Sequence, residues 1–517
     1  MALAYIPPGV NVEELTSPSV SPILAANAQV CVVGLARGYQ VGTTQLVFPP
    51  GTDPQTITAP EGAVFVRVSG TQVFESATSL TDPRAGTGQQ GTYAEGAAAD
   101  TADSDFFSTV AADGKTVTVT PIADGALDTD GGTVVFTYRY TPSNYYTATR
   151  VDNMAVTEAR FGPAFDEAGI VTPLTAAVSM AFQNGASSVV VAPLYKLTDP
   201  TDNLSLRIQP TASEAAAAAQ WDATFYGLRD IEDVNVIVPV AGQSIANFDD
   251  TAVRDVLFSA QAHVHYMAGE GQLIMLVAGE DSSGDVADAT AETLRDHAGQ
   301  LRDRFGGARA EQTILISPSR FRRQLPSSNN VTFVVGGQYM AAAIAGMLAS
   351  RPTSSTLTRK QVSGFLEVSD PRNKEAKNAD AAAGLHVIEQ KGSAIQVRHS
   401  ITLDNTSTAR REVSVVRAKH RMIESLRQTI DTQIIGSVPA NGNAPFIVKN
   451  AVVGVLETLR SRAELVDYRG VQARNLTGDP TAVEVRFSYM PAFPLNYVNI
   501  VFSIDMTGST TFEATTV

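Results

Sequence analysis

Residues 445–466 read PFIVKNAVVGVLETLRSRAELV, and the rest of the chain is organised around this stretch. Its apolar residues Ile447, Val448, Ala451, Val452, Val455, Leu456 and Leu459 fall at i, i+1, i+4, i+5, i+8, i+9 and i+12. That spacing lays one wide stripe along a helix. Pro445 suits a first helical turn, and Asn443 is placed to cap it. Upstream, Val415, Met422, Leu426, Ile430 and Ile434 mark a second helix, ended by Gly436 and Pro439. Downstream, Val483, Val485, Phe487 and Tyr489 alternate with polar residues, as do Val498, Ile500, Phe502, Ile504 and Met506 with their neighbours. Both runs predict strands. Two strands alone make a marginal sheet. Residues 413–506 therefore predict two helices and a sheet that other segments must complete.

At 517 residues the chain exceeds the usual reach of one core, so several domains are expected. A hydrophobic fraction of 44% with 18% charged residues is that of a folded globular protein. No apolar run approaches the ~20 residues of a membrane span, and the N-terminus lacks the basic and apolar regions of a signal peptide. Cys31 is the only cysteine, which excludes intrachain disulfides and predicts assembly in a reducing cytosol. The six histidines are scattered, and only His263 and His265 lie close together, so no metal site is expected. The net charge of −15 argues against general nucleic-acid binding. It is uneven: residues 40–150 hold twelve acidic against five basic residues, whereas residues 351–517 hold twenty basic against sixteen acidic.

In chain order, residues 1–24 carry Pro7, Pro8, Pro18 and Pro22 and predict an extended arm. Within it Val10, Val12 and Leu15 form a short strand candidate, either frayed or paired with a sheet edge elsewhere. Residues 28–34 predict a buried strand. Residues 38–150 are rich in Gly, Thr, Asp and Ser, with strand signals at 63–68, 116–120 and 133–140, and predict an inserted β-rich surface domain. Residues 151–350 alternate Val/Ile runs (188–193, 235–239, 273–278, 313–316, 331–335) with helical stretches (174–184, 213–229, 251–268, 287–305, 338–350). This pattern predicts a mostly parallel sheet covered on both faces, formed together with 25–37. Residues 374–380 read as a short solvated helix, and 384–388 with 395–398 as a hairpin, both assigned to a C-terminal domain over 351–507, with 508–517 as a tail. The fold class is thus α+β and α/β, multidomain.

A parallel sheet invites an enzymatic reading, so the loops after its strands matter. Residues 279–285, GEDSSGD, contain no phosphate-binding Gly-x-x-x-x-Gly-Lys-Ser/Thr, and their acids repel phosphate. Asp281 and Asp285 suit a divalent ion or a solvated loop. Residues 240–244 lack the other dinucleotide-binding glycines, and Gly-x-Ser-x-Gly is absent. No catalytic residue or cofactor is predicted.

The two ends of the chain carry a family resemblance. Residues 8–14, PGVNVEE, resemble the Pro-Gly-Val-x-Val-Glu-Glu opening of contractile tail sheath proteins of phages and related injection machines. The C-terminal order is also similar to the last domain of that family: 384–388, the basic helix, the helix after Pro445, two strands and a tail. The likeness covers 1–36 and 350–517 well, the middle loosely, and 38–150 not at all.

The resemblance implies a non-enzymatic structural subunit that polymerises as a helical tube around an inner tail tube protein and contracts without nucleotide hydrolysis. It implies further partners in baseplate and tail terminator proteins, no direct nucleic-acid contact, no membrane insertion, and residence in a virion tail or an injection particle assembled in a bacterial cytoplasm. It also implies that the terminal sheet, with Val483, Val485, Phe487, Ile500, Phe502 and Ile504 as acceptor residues, is completed by neighbours' arms through β-augmentation. One arm would carry Val10, Val12, Glu13, Glu14 and Leu15, and the other Phe512. Arg417, Lys419, Arg421, Arg427 and Lys449 become inner-tube contact candidates, although a solvated helix face reads equally well and the arginines cannot all share one face at 100° per residue. Two other readings stay open: an α/β enzyme with accessory β domains, and a surface carbohydrate-binding protein using 38–150.

Overall fold

The computed structural model describes residues 28–496, apart from 52, 68–71, 80–91, 97–103, 124–126, 128–130, 167–168, 195–213, 232, 241–249, 281–286, 306, 308, 328–330 and 441. The expected N-terminal arm (Val10, Val12, Glu13, Glu14, Leu15), the expected last strand (Ile500, Phe502, Ile504) and Phe512 lie outside the described residues.

The body is built on an eight-stranded sheet. Its order is Thr149–Val151, Val189–Pro193, Gln29–Gly34, Val234–Val240, Met275–Ala278, Thr313–Ser317, His386–Lys391 and Ala394–Val397. The inner pairs are parallel and the outermost pair at each end is antiparallel. Val32 lies opposite both Val191 and Val238. Continuous Val/Ile/Leu runs suit strands buried on both faces, and Val189–Pro193, Met275–Ala278 and Thr313–Ser317 are buried throughout.

One face is covered by Pro173–Gln183 and Gly337–Ala349, the other by Glu214–Gly227, Asp250–Gly269 and Ala287–Asp303, each with its own apolar cluster. Gly337–Ala349 is apolar all round and buried along almost its whole length, as such a composition requires. Gly346 lets it approach the neighbouring helix closely: a Cβ there would sit 2.2 Å from the Ala181 carbonyl oxygen.

The expected strand at 331–335 is displaced. It forms Thr332–Gly336 in a separate antiparallel sheet with Arg320–Gln324 and Glu367–Val368. The hairpin at 386–397, expected in the C-terminal domain, instead extends the body sheet through the pair Ile316 and His386. The Lys374–Ala382 helix is not solvated all round either. Its Asp380 is fully buried, accepting from Arg295 Nε, Arg372 Nη1 and Ser317 Oγ, each at 2.7 Å.

Residues 40–141 form two antiparallel-dominated sheets inserted between strands Gln29–Gly34 and Thr149–Val151. One contains Gln40–Phe48, Gly132–Thr141, Val64–Val66 and Phe74–Ser79, the other Gln55–Thr58, Thr116–Pro121, Phe106–Val110 and Glu95–Gly96. Between them Phe48, Phe74, Phe106 and Phe136 pack ring to ring with centroids 4.8–6.1 Å apart. Alternating Thr/Val runs suit strands with one buried face.

The C-terminal unit consists of helices Val413–Gln433 and Ala444–Ser461 and the hairpin Leu465–Leu476 with Asp479–Pro491. The stripe read from the sequence is the buried one: Val448, Ala451, Val452, Val455, Leu456 and Leu459. The strand 465–476 is absent from the sequence reading. Register shifts between Leu465 and Asp467, Arg469 and Gln472, and Asn475 and Leu476 break its period of two.

Candidate assembly interface

The hairpin has two faces and two edges. On its inner face Tyr468, Val471, Val485, Phe487 and Tyr489 pack against Met422, Val452, Val455, Leu456 and Leu459 of the two helices. Val483 joins Val448 and Ala451. Val483, Val485 and Phe487, expected from the sequence as acceptor residues, are strand residues held on a helical base. The strands of 12 and 13 residues make a ribbon roughly 40 Å long at ~3.3 Å per residue. Among the described residues neither outer edge pairs with another strand. Unpaired edges of this length are templates for a further strand.

Exposed apolar side chains gather in the same unit. Of fourteen large hydrophobic residues that are exposed among the described residues, eight lie here: Ile423, Ile435, Phe446, Val466, Leu476, Met490, Phe493 and Leu495, the last at 83% exposure. The body and the insertion hide theirs far better. Concentrated exposed apolar surface marks an interaction site.

The helix Val413–Gln433 divides its basic residues between inside and outside. Arg417 is buried and donates from Nη2 to the carbonyls of Leu348 at 2.5 Å and Arg351 at 3.2 Å, where helix Gly337–Ala349 ends. Burial first, and then Arg421, lowers its pKa to about 10, while Glu464 opposes the shift. Arg421 is buried too, with Nε 3.4 Å from Glu464 Oε2, which also accepts from Thr353 Oγ1 at 2.7 Å. Lys419 reaches Glu311 at 2.5 Å. Arg417, Lys419 and Arg421 therefore fasten the C-terminal unit to the body, and the reading of Arg417 and Arg421 as surface contacts is corrected. Arg427, 40% exposed and 3.4 Å from Asp431, and the exposed Lys449 keep their charges outside. The helical period separates Arg427 from the others, as the four cations Arg417, Lys419, Arg421 and Arg427 of one helix cannot share a face.

Glu464 was not singled out by the sequence, yet it sits immediately before the hairpin and ties its root to the body. Glu412 does the same where the chain returns, accepting from Asn496 Nδ2 at 3.0 Å and lying 2.8 Å from His399 Nε2. Their signal was faint: single acids flanking long elements. Asn443 stands at the helix start without a side-chain capping bond.

One described strand end of the body holds a buried pair. Glu280, just past Met275–Ala278, places its two carboxylate oxygens 2.8 and 3.0 Å from His297 Nδ1. Among the described residues no group of three or more His, Cys, Asp or Glu is arranged to hold a metal ion, and no helix is long and apolar enough to cross a membrane.

The architecture is similar to that of solved contractile sheath structures. The fold matches the helical sheath of the anti-feeding prophage in its contracted state with a TM-score of 0.54, over 97% of this chain and all of that one, at 13% identity. It matches the contracted PVC sheath complex of an extracellular contractile injection system with a TM-score of 0.50, over 98% and 99% of the two chains, also at 13% identity. A chain of the anti-feeding prophage baseplate matches over 71% of this one with a TM-score of 0.51 and 15% identity. In sequence, the chain is 29% identical over 404 residues to the tail sheath protein of Mycobacterium phage Bxz1, covering 77% of this chain and 64% of that protein. The match thus spans less than two thirds of the relative's length. No family model matches the chain. The chain thus resembles a tail sheath protein in sequence and contracted sheaths in fold.

Proposed function

We propose that the chain is the structural subunit of a contractile tail sheath, and not an enzyme. It polymerises with copies of itself into a helical tube around an inner tail tube protein. One observation carries this reading: a two-stranded hairpin that pairs with no further strand among the described residues, in the unit that exposes most of their large apolar side chains, on a fold similar to that of contracted sheaths. Two added strands would supply the main-chain partners that the hairpin lacks. The N-terminal arm with Val10, Val12, Glu13, Glu14 and Leu15 is the donor for one edge. The C-terminal segment with Phe512 is the donor for the other, and the run holding Ile500, Phe502 and Ile504 belongs with Val483, Val485 and Phe487 on the acceptor side. Because such arms link subunits flexibly, the lattice can pass from an extended to a contracted packing without dissociating, driven by a downhill transition and no nucleotide. Baseplate and terminator proteins bound the tube at its ends, and the particle assembles in a bacterial cytoplasm as part of a virion tail or injection device.

Two exposed cations, Arg427 and Lys449, remain for the inner-tube contact. Screened surface pairs are weak enough to release during contraction. The insertion at 40–141 leaves the body at the carboxyl end of strand Gln29–Gly34, while the C-terminal unit packs near the amino ends of the strands. It therefore points away from the tube side. Electron microscopy of the purified chain is the test. Hollow helical tubes are expected, and deletion of residues 1–24 should leave discrete folded particles. Tubes that form equally well without both terminal segments would remove the strand-exchange reading.

A further inference from the structure

The body sheet ends in the strand Ala394–Val397, and the outer edge of that strand is already closed. The Arg359 N–H donates to the Val397 carbonyl at 2.7 Å, Val397 N–H to the Lys360 carbonyl at 3.0 Å, and Val362 N–H to the Ile395 carbonyl at 2.9 Å. This end of the sheet has little backbone left for another strand. It offers charge instead. Glu389, on the adjoining strand His386–Lys391, lies 2.6 Å from Arg359 and 4.0 Å from both Lys377 and Arg398. Among the described residues no second carboxylate pairs with these three cations. The exposed Lys391 shares the strand face of Glu389, two residues on. The exposed Glu375 does not restore the balance, because it lies about 200° round its helix from Lys377.

Arg359 carries a second signal. Its φ of 63° lies in the left-handed region, where a side chain strains the backbone and glycine does not. A glycine conformation is thus filled by a residue whose guanidinium is 61% exposed and uses one Nη on Glu389. Among the described residues nothing else accepts from its fork, which matches a carboxylate in two-pronged geometry.

The charge of the chain indicates the partner. Each copy carries −15, and residues 40–150 hold twelve acidic against five basic residues, with Asp53, Glu61 and Asp113 exposed. A basic patch and an acidic patch at different places on one chain fit head to tail between copies, and such a heterologous contact propagates as an open helix. Nucleic acid fits poorly, because the net charge of the chain repels it.

We propose that Arg359, Lys377 and Arg398, gathered around Glu389, dock the acidic insertion of a second copy of this chain. The contact is additional to strand exchange at the hairpin, and it rests on the sheath reading only in that copies must associate. Complementary charge of this kind steers and registers partners more than it holds them.

The experiment follows self-assembly of the full chain by light scattering. Arg359→Gly removes the charge and relieves the strained φ, so its melting temperature should stay level or rise. Its critical concentration for assembly should increase about fivefold at low salt, with Lys377→Gln acting in the same direction. The combined variant Asp53→Asn, Glu61→Gln and Asp113→Asn should reproduce the loss from the other side of the contact. All differences from the parent should shrink as ionic strength rises towards ~1 M, where the Debye length is about 3 Å. Assembly equal to the parent in Arg359→Gly, or in the insertion variant, overturns the proposal. So does a fall in melting temperature matching the loss of assembly, which would make Arg359 a stabilising residue only. Saturable binding of a single-stranded DNA oligonucleotide, abolished by Arg359→Gly, would overturn it in favour of a nucleic-acid site. A parent that stays monomeric at every salt concentration sinks the sheath reading as well, whereas variants that assemble like an assembling parent sink this contact alone.

Discussion

The body sheet and the C-terminal hairpin show opposite ways of treating the same backbone. Six of the eight body strands have neighbours on both sides, and the two outermost close the sheet as antiparallel partners. The buried Asp380 beside it is matched within the chain by Arg295, Arg372 and Ser317. The hairpin has one face packed, edges that pair with no further strand among the described residues, and apolar side chains such as Leu495 and Met490 in solvent. Among the described residues the first region is paired throughout, and the second leaves edges to which a further strand could add. Stability should therefore reside in the body and assembly in the hairpin.

Asp380→Ala should give the largest effect, because it leaves the buried Arg372 with only the longer contact to Asp370 at 3.4 Å and frees Arg295. Breaking a buried ion pair by removing one member costs ~3–5 kcal/mol, measurable as a lower urea midpoint for the whole body. Leu456→Ala is its counterpart in the C-terminal unit, where it opens the small core under the hairpin at about 2–5 kcal/mol. Hydrogen exchange should locate the first loss in the body strands and the second in residues 413–491. If Leu456→Ala destabilised the body strands as much as its own unit, the division into two regions would be wrong.

The division also separates what the sequence made legible. Unbroken Val/Ile runs and the 445–466 stripe follow one period each, so their helices and strands could be read directly. The strand 465–476 could not, since three register irregularities scramble its alternation. Nor could the inward turn of Arg417 and Arg421: the helical period shows that cations diverge but not which side meets the body. Their partners lie at Leu348, Arg351 and Glu464, and a local pattern does not reveal pairings so distant in sequence. The attachment of hairpin 386–397 to the body sheet rests likewise on the pairing of His386 with Ile316, seventy residues earlier. The sheath resemblance came from the chain ends, and its arm residues lie outside what the structure describes.

Acid should weaken the body and the seam together. Burial is the main cause holding His263 and His386 at pKa values of about 4 and His420 at about 3, with Arg229, His399 and Lys419 respectively adding to the depression. Each is neutral in the folded chain, whereas in the unfolded chain it titrates near 6.5. Above that value neither state binds the proton and these groups give no pH dependence. As pH falls from about 6.5 towards 4, the unfolded chain gains protons that the folded one refuses, at up to ~1.4 kcal/mol per pH unit for each histidine. His420→Gln should flatten the pH dependence of unfolding between pH 6 and 4. An unchanged slope would mean that His420 is solvated and the seam around it open.

The smallest effect on the folded chain should come from the cations left outside. Arg427→Glu combined with Lys449→Glu touches one exposed i,i+4 pair with Asp431 and one free surface position, so the cost to stability should stay within ~0.5 kcal/mol. Assembly is where the change should register. If these charges meet an acidic inner tube, reversal should slow sheath growth on tubes at low salt, and the difference should shrink as ionic strength rises and the Debye length falls below ~8 Å. Self-assembly of the sheath without a tube should continue, because the hairpin edges are untouched. Loss of both kinds of assembly would instead place Arg427 and Lys449 at a contact between sheath subunits, and no loss in either would leave the helix face simply solvated. The double variant thus separates the two surfaces of the C-terminal unit: edges that recruit copies of the chain, and a charged flank available to a different partner.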